Sequence, residues 1–140
     1  MQADLRSIEA TQLLADQALE LFGTIDILVN NAGTLFAHPK ACARDDQPEA
    51  GLNLHTQTMA AEWGRYNIQS NAIAPTVILT ELGQQVWGEA STGGAMKAPI
   101  PAGRFGEPRE VADLLLFLAH NASNFICGQV IRLHGGLSVV

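Results

Sequence analysis

The stretch "IDILVNNAG", residues 25–33, decides the fold of this chain. A short apolar run ends here in two asparagines, an alanine and a glycine, and such a run is typical of a parallel strand buried on both faces. Gly33 lets a ligand approach the backbone closely, and the amides of Asn30 and Asn31 can donate and accept hydrogen bonds. The stretch therefore predicts a strand whose polar end either faces a hydroxylated ligand such as a ribose or holds the following loop.

A helix is predicted before this strand, over residues 7–22. Ser7 is a suitable N-cap, and Gly23 stands where a C-cap glycine belongs. Apolar residues recur at spacings of three and four, which predicts one buried face. The residues of that face are Ile8, Thr11, Ala15, Ala18, Leu19 and Phe22.

Further elements are predicted after residue 47. Pro48 is placed to open a second helix that runs to about Trp63 and buries Leu52, Met59 and Trp63. Residues 68–74 form a strand ended by a proline, and residues 88–108 form a glycine-rich loop. A third helix, "PREVADLLLFLAH", begins at a proline, and residues 128–133 form a last strand.

Alternating helices and strands predict an α/β fold, because parallel strands are joined by crossover helices. We expect a single partial Rossmann-like domain over residues 1–140, with about three parallel strands and flanking helices. Ligands of such sheets lie beyond the carboxyl ends of the strands. Three such ends carry small or polar residues, and all three should share one edge: residues 30–33, residues 75–76 and residues 134–136.

Composition narrows the class of function. The net charge is −6 with no basic run, so the electrostatic signature of nucleic-acid binding is missing. No stretch approaches the length of a membrane helix, and the first residues lack the features of a signal peptide, so a cytoplasmic location is expected. Charged residues make up only 16%, which favours a homo- or hetero-oligomer or an incomplete chain. Cys42 and Cys127 lack metal-ligand spacing and are interpreted as free thiols, and no metal site is predicted.

Several motifs in order resemble the short-chain dehydrogenase/reductase family. "GTIDILVNNAG" resembles its fourth strand, "AAEWGRYNIQSNAIAPTVILTELG" its sixth strand and following turn, and "PAGRFGEPREVADLLLFLAHNASNFICGQVIRLHGG" its last helix and strand. "QADL" resembles the end of its third strand, where Asp4 would face the adenine. Two positions depart from the pattern: Thr76 replaces the glycine of the usual P-G, and His134 replaces the aspartate of D-G-G.

The resemblance implies NAD or NADP as cofactor and a small carbonyl or alcohol as substrate. "APTVILTELGQQVW" is similar to members that act on sugar alcohols and ketoses. The positions that the resemblance assigns to a remnant cofactor site are Asp4, Leu5, Asn30, Ala32, Gly33, Pro75, Thr76, Val77 and Thr80.

The same resemblance shows which features of the family the chain lacks. No G-x-x-x-G-x-G loop occurs among its glycines, and the catalytic Tyr-x-x-x-Lys pair is absent. Asp45 stands at the tyrosine position and Glu49 at the lysine position, where a carboxylate would raise the pKa of a neighbouring phenol. Tyr66 is the single tyrosine and is expected at the opposite edge of the sheet, and His55 is expected to be an ordinary helix histidine. The strand between residues 25–29 and residues 68–74 is also expected to be missing.

Three hypotheses follow. In the first, the chain is an NAD(P)-dependent oxidoreductase by descent that is catalytically inactive as written. In the second, it is a non-catalytic module that pairs with a full-length relative through its last helix and strand. In the third, it is a deletion product without function.

Overall fold

The protein is described from a computed structural model, which covers residue 4, residues 7–31 and residues 49–139. No helix in these ranges is long and apolar enough to cross a membrane. The helices are α1 (Ile8–Phe22), α2 (Glu49–Trp63), α3 (Glu81–Trp87), α4 (Ala90–Lys97) and α5 (Pro108–Leu118). The strands are β1 (Ile27–Asn30), β2 (Gln69–Pro75) and β3 (Val130–Leu133). Short 3₁₀ turns occupy Gly64–Tyr66, Asn121–Ser123 and Leu137–Val139.

Helix α1 begins and ends at its predicted caps. The Ser7 hydroxyl accepts a hydrogen bond from the Ala10 N–H at 3.1 Å. Gly23 has a φ of +75°, and its N–H donates to the Leu19 carbonyl at 2.8 Å. Both ends are therefore specified locally, by one polar side chain and one residue that tolerates the left-handed conformation.

The prediction that α1 buries one of its faces is wrong. No residue of α1 is buried, and Ile8 and Phe22 at its two ends are 83% and 70% exposed. Apolar periodicity shows which side of a helix would face a core, but burial also needs an element that packs against that side. No described element covers this side of α1.

The three described strands form one parallel sheet in the order β1-β2-β3, which confirms the predicted fold class. Ile27 is paired with Gln69 and Ala72 with Val130. The Gln69 N–H donates to the Asp26 carbonyl at 2.8 Å, so β1 and β2 are direct neighbours. As expected, no strand lies between β1 and β2, which pair directly with each other.

The prediction of a loop throughout residues 88–108 is wrong for Ala90–Lys97, which form helix α4. Gly93 is buried where α4 meets the end of α3, and a Cβ atom there would overlap the Trp87 carbonyl oxygen. Glycine is unfavourable within a helix, but here it permits close packing of two helices. We predicted irregular structure from the glycines of this segment. At Gly93, the glycine instead allows the backbone of α4 to approach the end of α3 closely.

A compact apolar cluster joins α3, α4 and the C-terminal turn. Its buried members are Val77, Trp87, Met96, Ile100, Phe105 and Leu137. Helix α2 lies against β2 and contributes fully buried Thr56, whereas Leu52 and Met59 are half-buried. Trp63, which we predicted to be buried, lies in the last turn of α2 and is 37% exposed.

Candidate functional site

The carboxyl ends of the three strands lie at one edge of the sheet, as predicted. This follows from the parallel pairing of β1 with β2 and of β2 with β3. The edge carries Asn30 from β1, Thr76 after β2 and His134 after β3. Backbone groups just beyond the strand ends are no longer paired within the sheet and can bind a ligand. In open parallel sheets, ligands therefore lie at the carboxyl ends of the strands.

Asn30 is held by helix α2. Its Nδ2 atom donates to the Thr56 hydroxyl at 2.9 Å, and that hydroxyl donates to the Leu52 carbonyl at 2.7 Å. Thr56 has no exposed surface, so its hydroxyl, which makes both hydrogen bonds, is shielded from water. The Asn30 amide is therefore fixed in orientation by a residue that sequence reasoning missed, since the threonine interrupts the apolar pattern of α2.

The turn after β2 contains a polar atom without a partner. The Thr76 N–H continues the ladder and donates to the Leu133 carbonyl at 3.1 Å. Its Oγ1 atom is buried and has no hydrogen-bond partner; among the described side chains, only the Trp87 indole nitrogen shares this condition. Burial of an unpaired hydroxyl destabilises a fold by about 1–3 kcal/mol, so this atom is a candidate for contact with a ligand.

Three further residues of the predicted site, Pro75, Val77 and Thr80, lie next to Thr76 in the chain or close to it and are held within the fold. Val77 is buried in the apolar cluster, and its carbonyl accepts from the Gly106 N–H at 3.0 Å. Thr80 is the N-cap of α3, because its hydroxyl accepts from the Gly83 N–H at 3.2 Å. Pro75 is half-buried at the end of β2. The backbone around Thr76 is therefore firmly positioned.

His134 at the end of β3 organises the C-terminal turn. Its Nδ1 atom accepts a hydrogen bond from the Gly136 N–H at 3.1 Å, and its Nε2 atom lies 2.7 Å from the Ser138 hydroxyl oxygen. Since Nδ1 is an acceptor, the neutral ring carries its proton on Nε2 and donates it to Ser138. His134 is thus not placed as a base toward Ser138. No pattern in the sequence indicates this pair beyond a histidine four residues before a serine.

Other predicted site residues lie outside this group or outside the described residues. Asp4 is exposed, and its carbonyl accepts from the Ser7 N–H at 3.0 Å. Glu49 is the first residue of α2, and the structure does not describe its side chain. The predictions for four further residues fall outside the described ranges: Leu5, Ala32, Gly33 and Asp45.

The other acid-base candidates are exposed side chains. Tyr66 precedes β2 at the amino edge of the sheet, is 64% exposed, and has the Arg65 guanidinium 5.0 Å from its ring centre. His55 is exposed on α2, and His120 accepts from the Ala122 N–H through Nδ1 at 3.1 Å. Within the described ranges, no group of histidine, cysteine or carboxylate side chains could hold a metal ion.

An ion pair with two hydrogen bonds lies at the start of α5. Both carboxylate oxygens of Glu110 accept from the Arg104 guanidinium, at 2.8 and 2.7 Å, and one also accepts from the Glu107 N–H at 2.8 Å. These hydrogen bonds, those from Arg104 first, lower the pKa of Glu110 to about 2. The pair holds the turn before α5 and reaches none of the strand-end residues named above.

Two open grooves flank the sheet on its outer sides. One, of about 550 Å³, is lined by Asn53, Ile126 and residues 129–132 beside β3. The other, of about 440 Å³, is lined by Phe22 and residues 24–27 beside β1. Neither groove is lined by Asn30, Thr76 or His134.

A parallel sheet with flanking helices and polar residues at its strand ends defines a Rossmann-like α/β class of fold. A family model described as enoyl-(acyl carrier protein) reductase matches residues 48–138. The chain belongs to the short-chain dehydrogenase/reductase family.

Three relatives illustrate the similarity. The NAD-dependent glycerol dehydrogenase of Listeria innocua serovar 6a is 51% identical over 91 residues, which are 65% of this chain and 35% of that protein. The 2-dehydro-3-deoxy-D-gluconate 5-dehydrogenase of Escherichia coli K12 is 29% identical over 188 positions, covering 97% of this chain and 74% of that protein. A crystal structure of a putative 2-deoxy-D-gluconate 3-dehydrogenase from Agrobacterium tumefaciens with bound NADP has a TM-score of 0.71 and 27% identity, covering 91% of this chain and 52% of that one.

The chain spans about a third of the length of several curated relatives that it matches. The alignment with the Escherichia coli protein contains 188 positions although this chain has 140 residues. That relative therefore carries a segment inside the aligned region that has no counterpart here, in agreement with the direct pairing of β1 and β2.

Proposed function

We propose that this chain derives from NAD(P)-dependent oxidoreductases of polyols, ketoses or related small alcohols and carbonyls, and that it has no catalytic activity itself. The names of its relatives, a glycerol dehydrogenase and a sugar-acid dehydrogenase, support this substrate class. The proposal that the chain is inactive rests on the direct pairing of β1 with β2. No strand remains between them, and the resemblance to the family implies that such a strand carries a serine that orients the substrate carbonyl.

The position of the single tyrosine supports inactivity. Tyr66 precedes β2, whereas Thr76 follows it, and seven strand residues lie between the two ends. At about 3.3 Å per residue, the strand places the backbone of Tyr66 roughly 20 Å from the carboxyl edge. A general acid must come within hydrogen-bond reach of the reacting oxygen, so Tyr66 does not serve a substrate bound at that edge.

The residues present fit only part of a nicotinamide cofactor. The unpartnered hydroxyl of Thr76 and the fixed amide of Asn30 are suitable for one side of such a ligand. The pyrophosphate needs backbone N–H groups of a glycine-rich loop, and the printed sequence contains no such loop. The described side chains thus form a remnant wall and not a complete dinucleotide site.

An absorbance assay of nicotinamide oxidation tests inactivity. The purified chain is mixed with NADH or NADPH and dihydroxyacetone or xylulose, with the Listeria innocua glycerol dehydrogenase as the active control. We expect no turnover above the rate without protein. Turnover that persists after purification and is lost in both Tyr66→Phe and Asn30→Ala would overturn the proposal, because a contaminating enzyme would be insensitive to either change.

A second candidate function is a non-catalytic module that pairs with a full-length relative through α5 and β3. Leu116 is 68% exposed on α5, Phe125 is fully exposed after it, and the outer edge of β3 borders the larger groove. An exposed apolar surface of this kind is typical of an interface.

Co-expression with a tagged full-length relative, followed by size-exclusion chromatography, tests pairing. We expect a mixed complex that is lost in Leu116→Glu and kept in the control Leu82→Glu, which alters an exposed leucine on α3. Absence of a complex contradicts this candidate. The third hypothesis, a deletion product without function, gains support if amide exchange finds no protected core in β2 and α5.

A further inference from the structure

The imidazole ring of His134 joins two points of the C-terminal turn, residues 134–138. Its Nδ1 atom accepts from the Gly136 N–H at 3.1 Å, and its Nε2 atom lies 2.7 Å from the Ser138 hydroxyl oxygen. The His134 carbonyl also accepts from the Leu137 N–H at 3.2 Å. Because one ring nitrogen must accept while the other donates, this arrangement requires the neutral form of the imidazole.

The two glycines of this turn pack closely against the segment that follows α4. The Gly135 carbonyl accepts from the Ala102 N–H at 3.0 Å, and a Cβ atom at Gly135 would lie 2.8 Å from Cγ2 of Ile100. A Cβ atom at Gly136 would lie 3.0 Å from Cγ of Pro101. Both glycines have positive φ, so the turn reaches this close packing through a conformation that His134 helps to hold.

The next residue, Leu137, connects this turn to the apolar cluster. Leu137 is 7% exposed and packs in the same cluster as Trp87, which ends α3 and is also 7% exposed. The position of the turn therefore determines whether Leu137 completes the cluster between α3 and α4.

Protonation of His134 is incompatible with the observed turn. The charged ring has an N–H on both nitrogens and no acceptor. The Nδ1–H would then face the Gly136 N–H across 3.1 Å, so this amide loses its partner whichever way the ring is turned. Because both residues after His134 are glycines, the backbone can move away without steric cost.

The charged groups around the turn are known from the described elements. The ionisable residues of the elements packed against it are Arg132 on β3, Glu81 on α3, Glu89 before α4, Lys97 on α4 and Arg104 after it. Arg132 donates to the Ser138 hydroxyl at 3.5 Å, so a protonated ring would share this hydroxyl with another cation. None of the ion pairs among the described residues joins a carboxylate to the His134 ring.

We propose that the C-terminal turn is a pH-sensitive latch, held closed by neutral His134 and released when the ring is protonated. Release frees the Gly136 N–H and withdraws Leu137 from the cluster, while the sheet stays folded. Protonation of histidine is a recognised way to shift such a two-state element between pH 5 and 8. The latch depends only on contacts within the chain, so the inference does not rest on the proposed function.

Amide exchange measured by NMR at pH 7.5 and pH 5.0 tests the latch. Each exchange rate is compared with that of an unstructured chain at the same pH, which gives a protection factor. We expect protection at Gly136 and Leu137 to fall at least about tenfold at pH 5.0, as for the loss of a hydrogen bond. Ala72, whose N–H donates to the Gln129 carbonyl at 2.8 Å within the sheet, should keep its protection.

Two further measurements connect the change to His134 and to the cluster. Loss of protection at Gly136 should have the same midpoint as the titration of the His134 ring, followed by the chemical shift of its Cε1–H. In a Trp63→Phe background, where Trp87 is the remaining tryptophan, its fluorescence should move to longer wavelength over the same pH range.

A matched pair of asparagine variants separates the latch from other effects of pH. His134→Asn stays neutral, and its side-chain oxygen can accept from the N–H two residues later, so protection at Gly136 should persist at pH 5.0. His120→Asn is the control, because Nδ1 of His120 also accepts from an N–H two residues later, that of Ala122, at 3.1 Å. It should leave the fall at Gly136 unchanged.

Five outcomes would overturn the inference. They are equal protection of Gly136 at both pH values, an equal fall at Ala72, a midpoint at Gly136 that differs from that of the His134 ring, Trp87 fluorescence that does not shift, and loss of the pH effect in His120→Asn. If His134→Asn folds and still loses protection at pH 5.0, the latch is likewise excluded. The midpoint comparison uses the parent chain and decides the matter even if His134→Asn does not fold.

Discussion

The side chain of Asn71 connects β2 to the turn that leads into β3. Its Oδ1 atom accepts from the Gln129 N–H at 3.1 Å, and its Nδ2 atom donates to the Ile126 carbonyl at 2.9 Å. Asn71 is 1% exposed, so both bonds are shielded from water. A buried amide that uses both ends in this way specifies how the last strand enters the sheet.

Replacement of this amide should be strongly destabilising. Asn71→Ala leaves the Gln129 N–H unpaired and removes one of the two side-chain donors to the Ile126 carbonyl, which keeps its bond from Gln69. We expect the free energy of unfolding to fall by about 1–3 kcal/mol. Urea denaturation followed by circular dichroism measures the change. Asn124→Ala, at an exposed asparagine of the same region, is the control and should stay within about 0.5 kcal/mol. Similar losses in both variants would contradict the role given to Asn71.

Neighbouring glycines of α4 should respond in opposite directions to alanine. A Cβ at Gly93 would overlap the Trp87 carbonyl oxygen, so we expect Gly93→Ala to cost about 1–3 kcal/mol. A Cβ at Gly94 meets nothing within 4 Å, so Gly94→Ala should stabilise the helix by about 0.5–1 kcal/mol. Thermal unfolding of the two variants beside the parent chain makes the comparison. Stabilisation by both substitutions would show that α4 does not pack closely on α3.

These residues also show what the sequence could and could not predict. The caps Ser7 and Gly23 were predicted because capping depends on neighbours within a few positions. The role of Gly93 was missed because a glycine that permits packing has the same local pattern as a glycine in a loop. The burial of α1 was predicted wrongly because it depends on an element distant in sequence.

The candidate site was predictable to a similar degree. The shared edge of Asn30, Thr76 and His134 follows from alternating helices and strands, and the structure confirms it. Their hydrogen-bond partners were not predictable. Thr56 binds Asn30 from 26 positions away, and Ser138 reaches His134 only because the chain between them turns through two glycines with positive φ.

The pKa of Glu110 gives a pH-dependent contribution to stability. The folded value, about 2, lies below the ordinary value of 4.5, because the ionised carboxylate accepts hydrogen bonds from Arg104 and the Glu107 N–H. The stabilisation is therefore fully present above about pH 4.5 and is lost as the pH falls toward 2. Carbon-detected NMR titration should find this low pKa, and Arg104→Gln should move it toward 4.5. An unchanged Glu110 pKa in Arg104→Gln would show that Arg104 does not hold the carboxylate.

Two threonines at the candidate site should respond oppositely to valine. The Thr56 hydroxyl accepts from Asn30 and donates to Leu52, so Thr56→Val leaves the Asn30 Nδ2 group without this partner and removes an additional bond to the Leu52 carbonyl. We expect it to cost about 1–2 kcal/mol. The Thr76 hydroxyl is buried without a partner, so Thr76→Val removes an unpaired polar atom at nearly constant shape. We expect the free energy of unfolding to rise by about 1 kcal/mol.

Urea denaturation of both valine variants makes this comparison, because both changes replace a hydroxyl by a methyl group. A stabilising Thr76→Val means that the parent chain keeps a polar atom that its own fold does not satisfy. Such an atom is expected where an ancestral ligand once supplied the missing hydrogen bond, and natural chains retain unfavourable groups mainly at sites of function. If Thr76→Val destabilises the chain as much as Thr56→Val does, the hydroxyl already has a partner within the fold, and Thr76 no longer marks a remnant of the cofactor site.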